Sequence, residues 1–380
     1  MYIKPFAVEQ WMNEWEVGAK YNIAETCVDS ISMDQLFDLT GEDKDMFLEE
    51  FASRRLTYGD IEGQPLLKEG VSKLYRTVKP DEVITTHGAA GANHHVFYSL
   101  INPGDRVVTI NPTYQQLYSI PESLGADVQI LELKKEDSYL PNIEELSKLV
   151  TADTKMICLN NPNNPTGGLM EKELLEKIIK IAREVNAYIL CDEVYRHLIQ
   201  EGDWQDSIVD LYEKGISVGS MSKVFSLAGL RLGWIVTHDK EAVKTMLGHR
   251  DYTLISCGQF DESLAGLALK NAEVLIERAR SIVRENLTVL DEWVKNEPHV
   301  RYVKPKAGST ALVYYDLDIP SYEFCIEMYK KTGAFVTPGD CFGQEYSMRI
   351  GYAYGRKDLI DGLKAVSEFI AMKVGGSNNV

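Results

Sequence analysis

The chain has 380 residues, of which 44% are hydrophobic, and its formal net charge is −17. This length allows a sizeable core and more than one domain, while the acidity argues against a nucleic-acid or membrane-surface partner because no block of Lys or Arg offsets it. Six scattered cysteines without a CxxC pair predict reduced thiols. Residues 1–15 mix charges with aromatic rings, unlike a signal peptide, so we expect a cytoplasmic protein.

Seven short apolar runs alternate with helical patterns between about residues 60 and 240. They are Val83–Thr85, Arg106–Ile110, Val128–Leu131, Met156–Leu159, Tyr188–Cys191, Ile216–Gly219 and Trp234–Thr237. The most regular helical pattern between them is Glu171–Val185. Continuous apolar strands that alternate with helices predict an α/β fold, in which a mostly parallel seven-stranded sheet lies between helices. Ligands of such folds bind beyond the carboxyl ends of the strands.

The pattern changes after a long helix predicted from Asn271 to about Lys295. The segments that follow predict a smaller α+β domain: Val300–Val303, Thr310–Tyr315, Ser321–Lys331, Ala334–Thr337, Ser347–Tyr352 and Lys357–Met372. We therefore expect an N-terminal segment (1–45) that joins the small domain and covers the site, a large domain (46–275) and a small domain (276–380). The end of the chain, Gly375–Val380, is expected to be disordered.

Lys223 stands in the segment SMSK, directly after the apolar run Ile216–Gly219. Burial lowers the pKa of a lysine and frees its amine to form an imine with an aldehyde. Taken alone, the residue is better explained as a lysine that extends from a strand end into solvent. Other parts of a site must decide between the two.

Asp192 follows the apolar run Tyr188–Cys191, at the carboxyl end of a predicted strand. A carboxylate in this position must be paired or solvated. It is either the N-cap of the next helix or the counter-ion of a protonated pyridine nitrogen. Tyr195, three residues later, could reach the same pocket and donate a hydrogen bond to a ring oxygen.

Three loops follow other predicted strands. The loop Asn160–Gly167 (NNPNNPTG) holds Asn164 in a rigid backbone that suits polar recognition. In Thr86–Ala92 (THGAAGA) small residues let backbone N–H groups approach an anion at a helix N-terminus, although the spacing is not a dinucleotide fingerprint. Tyr114, in NPTY, could stack on a planar cofactor or merely pack.

Together and in this order, these segments resemble the class I/II pyridoxal-phosphate-dependent aminotransferases of fold type I, the aspartate aminotransferase-like family. The resemblance runs from about Tyr58 to the C-terminal helix. Its segments are YGDIEGQPLLKEG, THGAAGA, NPTY, NNPNNPTG, CDEVY, SMSK with Arg231, VTPGDCFG and SMRIGYA. It implies pyridoxal 5′-phosphate as cofactor and transfer of the amino group of an L-amino acid to a 2-oxo acid by a homodimer.

The resemblance also implies a role for each matched residue. Lys223 would bind the cofactor as an imine and then move the substrate's proton, and Asp192 would hold the pyridinium nitrogen. Asn164 and Tyr195 would bind the ring oxygen, and Tyr114 would stack on the ring. The phosphate would be held by Gly88, Ala89, Ala90, Ser220, Ser222, Arg231 and, from the neighbouring subunit, Tyr58. Many relatives have a hydroxyl residue where this chain has Ala90, so only its backbone is expected to contribute.

Substrate binding is implied for Arg349, Asn164 and Glu25. Arg349, in SMRIGYA, matches the arginine that binds the α-carboxylate bidentately, although a surface ion pair would also explain a strand arginine. Glu25 lies in the N-terminal segment expected to cover the site. It could bind a cationic side chain such as that of arginine, or be an ordinary surface or capping glutamate. No second arginine can be assigned to a dicarboxylate substrate, and no residues have metal-ligand spacing.

The sequence leaves the outcome of the reaction open. A lyase, a cyclising synthase or an amino-acid oxidase of the same fold would begin with the same chemistry at Lys223 and Asp192. The presence of the lysine, the aspartate and both arginines argues against a non-enzymatic binding protein of this fold, which would not require all four. Of these hypotheses we favour the aminotransferase.

Overall fold

The computed structural model describes residues 2–376. Its last helix extends through Gly376, so Gly375 and Gly376 are helical and were wrongly expected to be disordered. The rest of that expected tail, residues 377–380, lies outside the described residues. Within the described part of the chain, no helix is long and apolar enough to cross a membrane.

Strands and helices alternate along most of the chain, as the sequence predicts. In chain order the strands are β1 Tyr21–Asn22, β2 Val83–Thr86, β3 Arg106–Asn111, β4 Asp127–Glu132, β5 Thr154–Asn160, β6 Tyr188–Asp192, β7 Gly215–Ser220, β8 Gly233–Thr237, β9 Val300–Tyr302, β10 Thr310–Tyr315, β11 Ala334–Phe335, β12 Thr337–Pro338 and β13 Ser347–Gly351. The α-helices are α1 Ala7–Trp15, α2 Met33–Thr40, α3 Lys44–Ser53, α4 Pro65–Ser72, α5 Gly88–Leu100, α6 Gln116–Ser123, α7 Ile143–Leu149, α8 Lys172–Glu184, α9 Ile208–Leu211, α10 Lys240–Arg250, α11 Gln259–Lys270, α12 Ala272–Asn296, α13 Ser321–Thr332 and α14 Arg356–Gly376.

The seven predicted apolar runs form one sheet with the strand order β2-β8-β7-β6-β5-β3-β4. Strands β7, β6, β5, β3 and β4 are parallel to one another, and β8 is antiparallel to both of its neighbours. Every residue of β7 and β8 is buried, which explains why their sequences are continuously apolar or small. The predicted α/β fold with a mostly parallel seven-stranded sheet is confirmed.

The register of the central strands brings their carboxyl ends to one edge of the sheet. Asn160, the last residue of β5, lies opposite Asp192, the last residue of β6, and Asp192 lies opposite Val218 of β7. Lys223 follows the end of β7 by three residues. Side chains from three neighbouring strands therefore meet beyond this edge, where α/β folds bind ligands.

A second, antiparallel sheet follows α12, with the strand order β12-β13-β10-β9. Arg349 lies on β13, in the middle of this sheet. The short strand β1 pairs in parallel with β11, so the N-terminal segment is hydrogen-bonded to the C-terminal part of the chain. The domain bounds of 1–45, 46–275 and 276–380 stay a prediction.

Helix α1 is anchored to both parts of the molecule. The Trp11 indole N–H donates to the Val336 carbonyl at 2.9 Å, and its ring stacks on Phe335 with centroids 5.7 Å apart. On the other side, the Gln115 side chain accepts from the Ala7 N–H at 2.9 Å. It also donates to the Pro5 carbonyl at 2.9 Å. The helix is thus held across the carboxyl edge of the large sheet.

Candidate active site

A cavity of about 320 Å³ lies beyond the carboxyl ends of β5, β6 and β7, and the N-terminal segment forms one of its walls. This volume is within the range of small-molecule sites. Most of the residues assigned to the site line it: Glu25, Ala89, Ala90, Tyr114, Asn164, Asp192, Tyr195, Ser220, Ser222, Lys223, Arg231 and Arg349. Gly88 adjoins it as the first residue of α5. Tyr58 does not line the cavity, and 69% of its surface is exposed.

Lys223 lies in the cavity with its amine held by the N-terminal segment. Its Nζ donates to Thr26 Oγ1 at 2.6 Å and lies 3.5 Å from Cys27 Sγ. Burial alone would lower the pKa of Lys223, but the negative potential of Cys27, Tyr195 and Glu25 outweighs it and raises that pKa. The residues around Lys223 therefore favour its ammonium form. The lowered pKa that we expected from burial is wrong for the protein without its cofactor.

Asp192 is a buried carboxylate, only 2% exposed, that forms no ion pair within the described residues. Its Oδ2 accepts from Asn93 Nδ2 at 2.8 Å, and its Oδ1 accepts from the Val194 N–H at 3.2 Å. Burial raises the pKa of Asp192. The two hydrogen bonds and the positive charge of Lys223 act in the opposite direction but do not outweigh burial. The carboxylate does cap the following turn, and it also fits a protonated ring nitrogen, which would supply the missing positive charge.

The N-terminus of α5 forms a cradle beside Arg231. Gly88 has φ +68°, and a Cβ on it would lie 2.9 Å from Arg231 Nη2. A Cβ on Gly233 would lie 2.4 Å from the carbonyl carbon of Gly88, so only glycine allows this approach. Ser220 and Ser222 line the same cavity. Free N–H groups of a helix start, two hydroxyls and a guanidinium are a donor set that fits a phosphate.

The residues assigned to the cofactor ring are held firmly. The Asn164 N–H donates to Asn160 Oδ1 at 2.7 Å, which fixes the loop that carries the side chain. Tyr195 is buried, and burial raises its pKa, so its hydroxyl stays protonated at neutral pH and can donate. The Tyr114 ring lies against Phe6, with centroids 5.0 Å apart at 58°. These positions fit a planar ring with a polar edge.

Arg349 is buried to 97% in the structure, where 3% of its surface remains exposed, and it faces the cavity rather than forming a surface ion pair. Its Nη2 donates to the Ala24 carbonyl at 3.1 Å and to Thr337 Oγ1 at 2.9 Å, and its Nη1 donates to Asn164 Oδ1 at 3.4 Å. Its Nε has no hydrogen-bond partner among the described residues. Burial lowers the pKa of Arg349, since no described carboxylate pairs with it. A guanidinium in this position fits an incoming carboxylate.

Glu25 combines the two interpretations that the sequence left open. Its Oε1 accepts from the Thr26 N–H at 2.7 Å and from the Cys27 N–H at 2.8 Å, so it does cap a local turn. It also lines the cavity. Burial would raise the pKa of Glu25, but the charge of Lys223 and these N–H groups outweigh burial and lower it. The carboxylate is therefore ionised beside Lys223.

Sequence reasoning missed several residues of the cavity and its surroundings. Asn93, which donates to Asp192, lies inside α5 and carries no local signal of that role. Glu9, Asn13 and Glu16 of the α1 region also line the cavity. Their spacing places them on one helix face, which could have indicated a shared role.

Comparison with known proteins identifies the family. The family model described as aminotransferase class I and II matches residues 42–366. The chain belongs to this family. Its cofactor is pyridoxal 5′-phosphate and its activity is transamination, as the sequence predicted.

Similar proteins include both aminotransferases and a synthase. A solved structure of a PLP-dependent aminotransferase from Streptococcus suis is 42% identical, has a TM-score of 0.95, and the match covers 98% of this chain and 99% of that one. Capreomycidine synthase of Streptomyces vinaceus is 26% identical, over 95% of this chain and 92% of its own length. An aspartate aminotransferase of Sulfurisphaera tokodaii is 29% identical, over 85% and 84%.

The buried carboxylate gives the first prediction. A carboxyl whose folded pKa is raised destabilises the native state in full above its folded pKa, and the penalty is lost as pH falls from the folded to the unfolded pKa. We therefore expect Asp192→Asn to increase the free energy of unfolding of the cofactor-free protein at pH 7 by about 1 kcal/mol, with a smaller gain at about pH 4, close to the unfolded pKa of an aspartate. The same change should slow the reaction with an amino donor by about a hundredfold.

Thermal unfolding at both pH values and donor kinetics measure the two effects. Asp318→Asn, a change at an exposed aspartate, is the control and should alter neither. A variant at Asp192 that unfolds more easily and keeps full activity would contradict this role.

Proposed function

We propose that this chain carries out transamination with Lys223 as the residue that attaches the cofactor and moves the proton at the substrate's Cα. The observation that carries the proposal is one cavity in which Lys223 lies beside a buried aspartate and a buried arginine, each without an ion-pair partner among the described residues. When bound, pyridoxal phosphate supplies an aldehyde and an electron-withdrawing ring. The protein must then hold that ring, orient the substrate and transfer a proton.

The residues divide these tasks between them. Asp192 would keep the ring nitrogen protonated by ion pairing, which preserves the ring's electron demand. Asn164 and Tyr195 would bind the ring oxygen. The start of α5 with Ser220, Ser222 and Arg231 would hold the phosphate, since all of these groups are hydrogen-bond donors that line the cavity. Lys223, whose amine is within reach of the Thr26 hydroxyl, would take and return the proton.

Arg349 would bind the α-carboxylate of the amino acid. Its guanidinium is held in place by a backbone carbonyl and by the Thr337 hydroxyl, so a planar donor pair can be offered without much loss of side-chain entropy. Its hydrogen bond to Asn164 would couple the carboxylate site to the ring site. The Cα–H bond would thereby be oriented relative to Lys223.

Removal of this guanidinium tests the proposal. Arg349→Ala should lower kcat/KM for an L-amino acid by about two to three orders of magnitude, because a buried charge pair that loses one partner costs about 2–5 kcal/mol. The corresponding amine without a carboxylate should react equally slowly with the wild type and the variant. Stopped-flow spectroscopy of the holoenzyme with each donor measures this difference.

The cofactor spectrum of the same variant is the control for folding and loading and should be unchanged. If Arg349→Ala leaves the affinity and the rate for amino acids at wild-type values, the assignment of the carboxylate site is wrong.

A cyclising reaction beside transamination is the second candidate, because the match to capreomycidine synthase covers nearly the whole chain. A transaminase requires a 2-oxo acid to turn over, and without one it consumes donor only in proportion to enzyme. A synthase consumes donor catalytically without that acceptor. Product analysis with and without a 2-oxo acid separates the two.

We also propose a homodimer in which Tyr58 reaches the phosphate of the neighbouring site. Tyr58 is exposed and lies in a groove next to other exposed apolar side chains, including Met46 and Leu66. Monomeric proteins rarely leave such a patch uncovered, and a second copy would cover it. Tyr58 does not line the cavity of its own chain, so it would contact a phosphate only in the neighbouring subunit.

Tyr58→Phe should weaken cofactor binding by about tenfold, since it removes one hydrogen bond to a charged group. Equilibrium dialysis of the cofactor measures this, and sedimentation should give twice the mass of one chain for both proteins. Tyr2→Phe, at another exposed tyrosine, is the matched control. A monomer that binds the cofactor with full affinity would rule out the shared site.

We propose a cytoplasmic location for the enzyme. All six cysteines are free, as expected for a reducing compartment. Cell fractionation would test this, and recovery of the active protein from an oxidising compartment would contradict it.

A further inference from the structure

The N-terminal helix α1 has two faces with different tasks. Its buried residues Val8 and Trp11 pack toward the rest of the protein, and Val8 with Met12 also borders the cavity. The polar side carries Glu9 and Asn13, followed by Glu16 directly after the last residue of the helix; they stand at positions i, i+4 and i+7, and all three line the cavity. The helix therefore supplies a wall with two carboxylates to the site in which the substrate is expected.

No cation of the described residues pairs with this wall. Glu9 is exposed at the mouth of the cavity and has no hydrogen-bond or ion-pair partner there, and the half-buried Glu16 accepts only from Asn22 Nδ2, at 3.0 Å. Glu25, which lines the same cavity, is ionised and sits next to Lys223. Three carboxylates thus face a space in which they can meet a ligand.

The acidic wall is connected to the carboxylate site. Asn22, which donates to Glu16, accepts from the Ala24 N–H at 3.0 Å, and the Ala24 carbonyl accepts from Arg349 Nη2 at 3.1 Å. The charge of Glu9 acts on Arg349, since it opposes the fall in the pKa of that guanidinium. Arg349 and the wall are therefore near neighbours across one cavity.

Arg349 supplies an independent indication of a ligand. Its Nε is buried without a partner among the described residues, and only 3% of the side chain is exposed. A ligand that satisfies it must carry an anion at one end. The carboxylates of Glu9 and Glu16 favour a positive charge at the other end of the same ligand. An amino acid with a long, positively charged side chain has both groups.

We propose that Glu9 and Glu16 select amino acids with a cationic side chain as donors, a specificity that rests on the proposed function of the same site. The α-carboxylate lies on Arg349, and the side chain extends toward α1. An acidic side chain is repelled by the same wall, because like charges without a compensating cation disfavour binding. Asn13 lies between the two glutamates, and its side-chain oxygen can accept a hydrogen bond from a guanidinium.

L-Arginine and L-citrulline form a matched pair of probes, because they have nearly the same shape and differ in charge. The holoenzyme is mixed with each donor, and the change in the cofactor spectrum gives kcat/KM for the first half-reaction. We expect arginine to exceed citrulline by about 10- to 100-fold. The double variant Glu9→Gln with Glu16→Gln should reduce this ratio by about tenfold or more, mainly through a fall in kcat/KM for arginine.

Glu14→Gln is the control variant, because Glu14 lies on the same helix and does not line the cavity. It should keep the wild-type ratio. Equal rates for arginine and citrulline in the wild type, or an unchanged ratio in the double variant, would overturn the inference while the proposed function stands. If neutral, acidic and cationic amino acids all fail to change the cofactor spectrum, the proposed function fails, and this specificity fails with it.

Discussion

Two buried charges without ion-pair partners among the described residues, Asp192 and Arg349, set the conditions for the whole site. A charge removed from water costs free energy unless another charge compensates it, and here burial shifts the pKa of each group toward its neutral form. Within the described residues neither charge is compensated, which is consistent with compensating charges on the cofactor and the substrate. A protonated ring nitrogen of the cofactor would pair with Asp192, and a substrate carboxylate would pair with Arg349. The elements around the cavity keep both groups dry and correctly placed.

The fold brings these two charges together from distant parts of the sequence. Asp192 ends a parallel strand of the large sheet, and Arg349 lies on an antiparallel strand of the second sheet. The N-terminal segment closes the gap, because the Ala24 carbonyl binds Arg349 and the Thr26 hydroxyl binds Lys223. Substrate contacts therefore depend on a segment that lies outside both sheets. The same segment also touches the reacting amine, because Cys27 and Glu25 raise the pKa of Lys223.

The sequence points to the residues that meet in the cavity because strand ends are local features, while their roles stay a prediction. Apolar runs followed by a polar residue mark the carboxyl edge, and Asp192, Asn164 and Lys223 all follow this rule. The role of Asn93 could not be found, since its partner is 99 residues away and only the packing of α5 on the sheet brings them together. The raised pKa of Lys223 was also missed, because it depends on Cys27, Tyr195 and Glu25 rather than on burial. The wall formed by α1 depends on where that helix docks, which Trp11 and Gln115 decide through tertiary contacts.

Lys223 is the proposed point of attachment of the cofactor. Borohydride reduction of the holoenzyme, followed by proteolysis and mass spectrometry, tests it directly because the reduced bond survives digestion. We expect a pyridoxyl adduct on the peptide that contains Lys223 and the loss of that adduct in Lys223→Ala. An adduct on a different lysine, or an active enzyme without any adduct at Lys223, would contradict it.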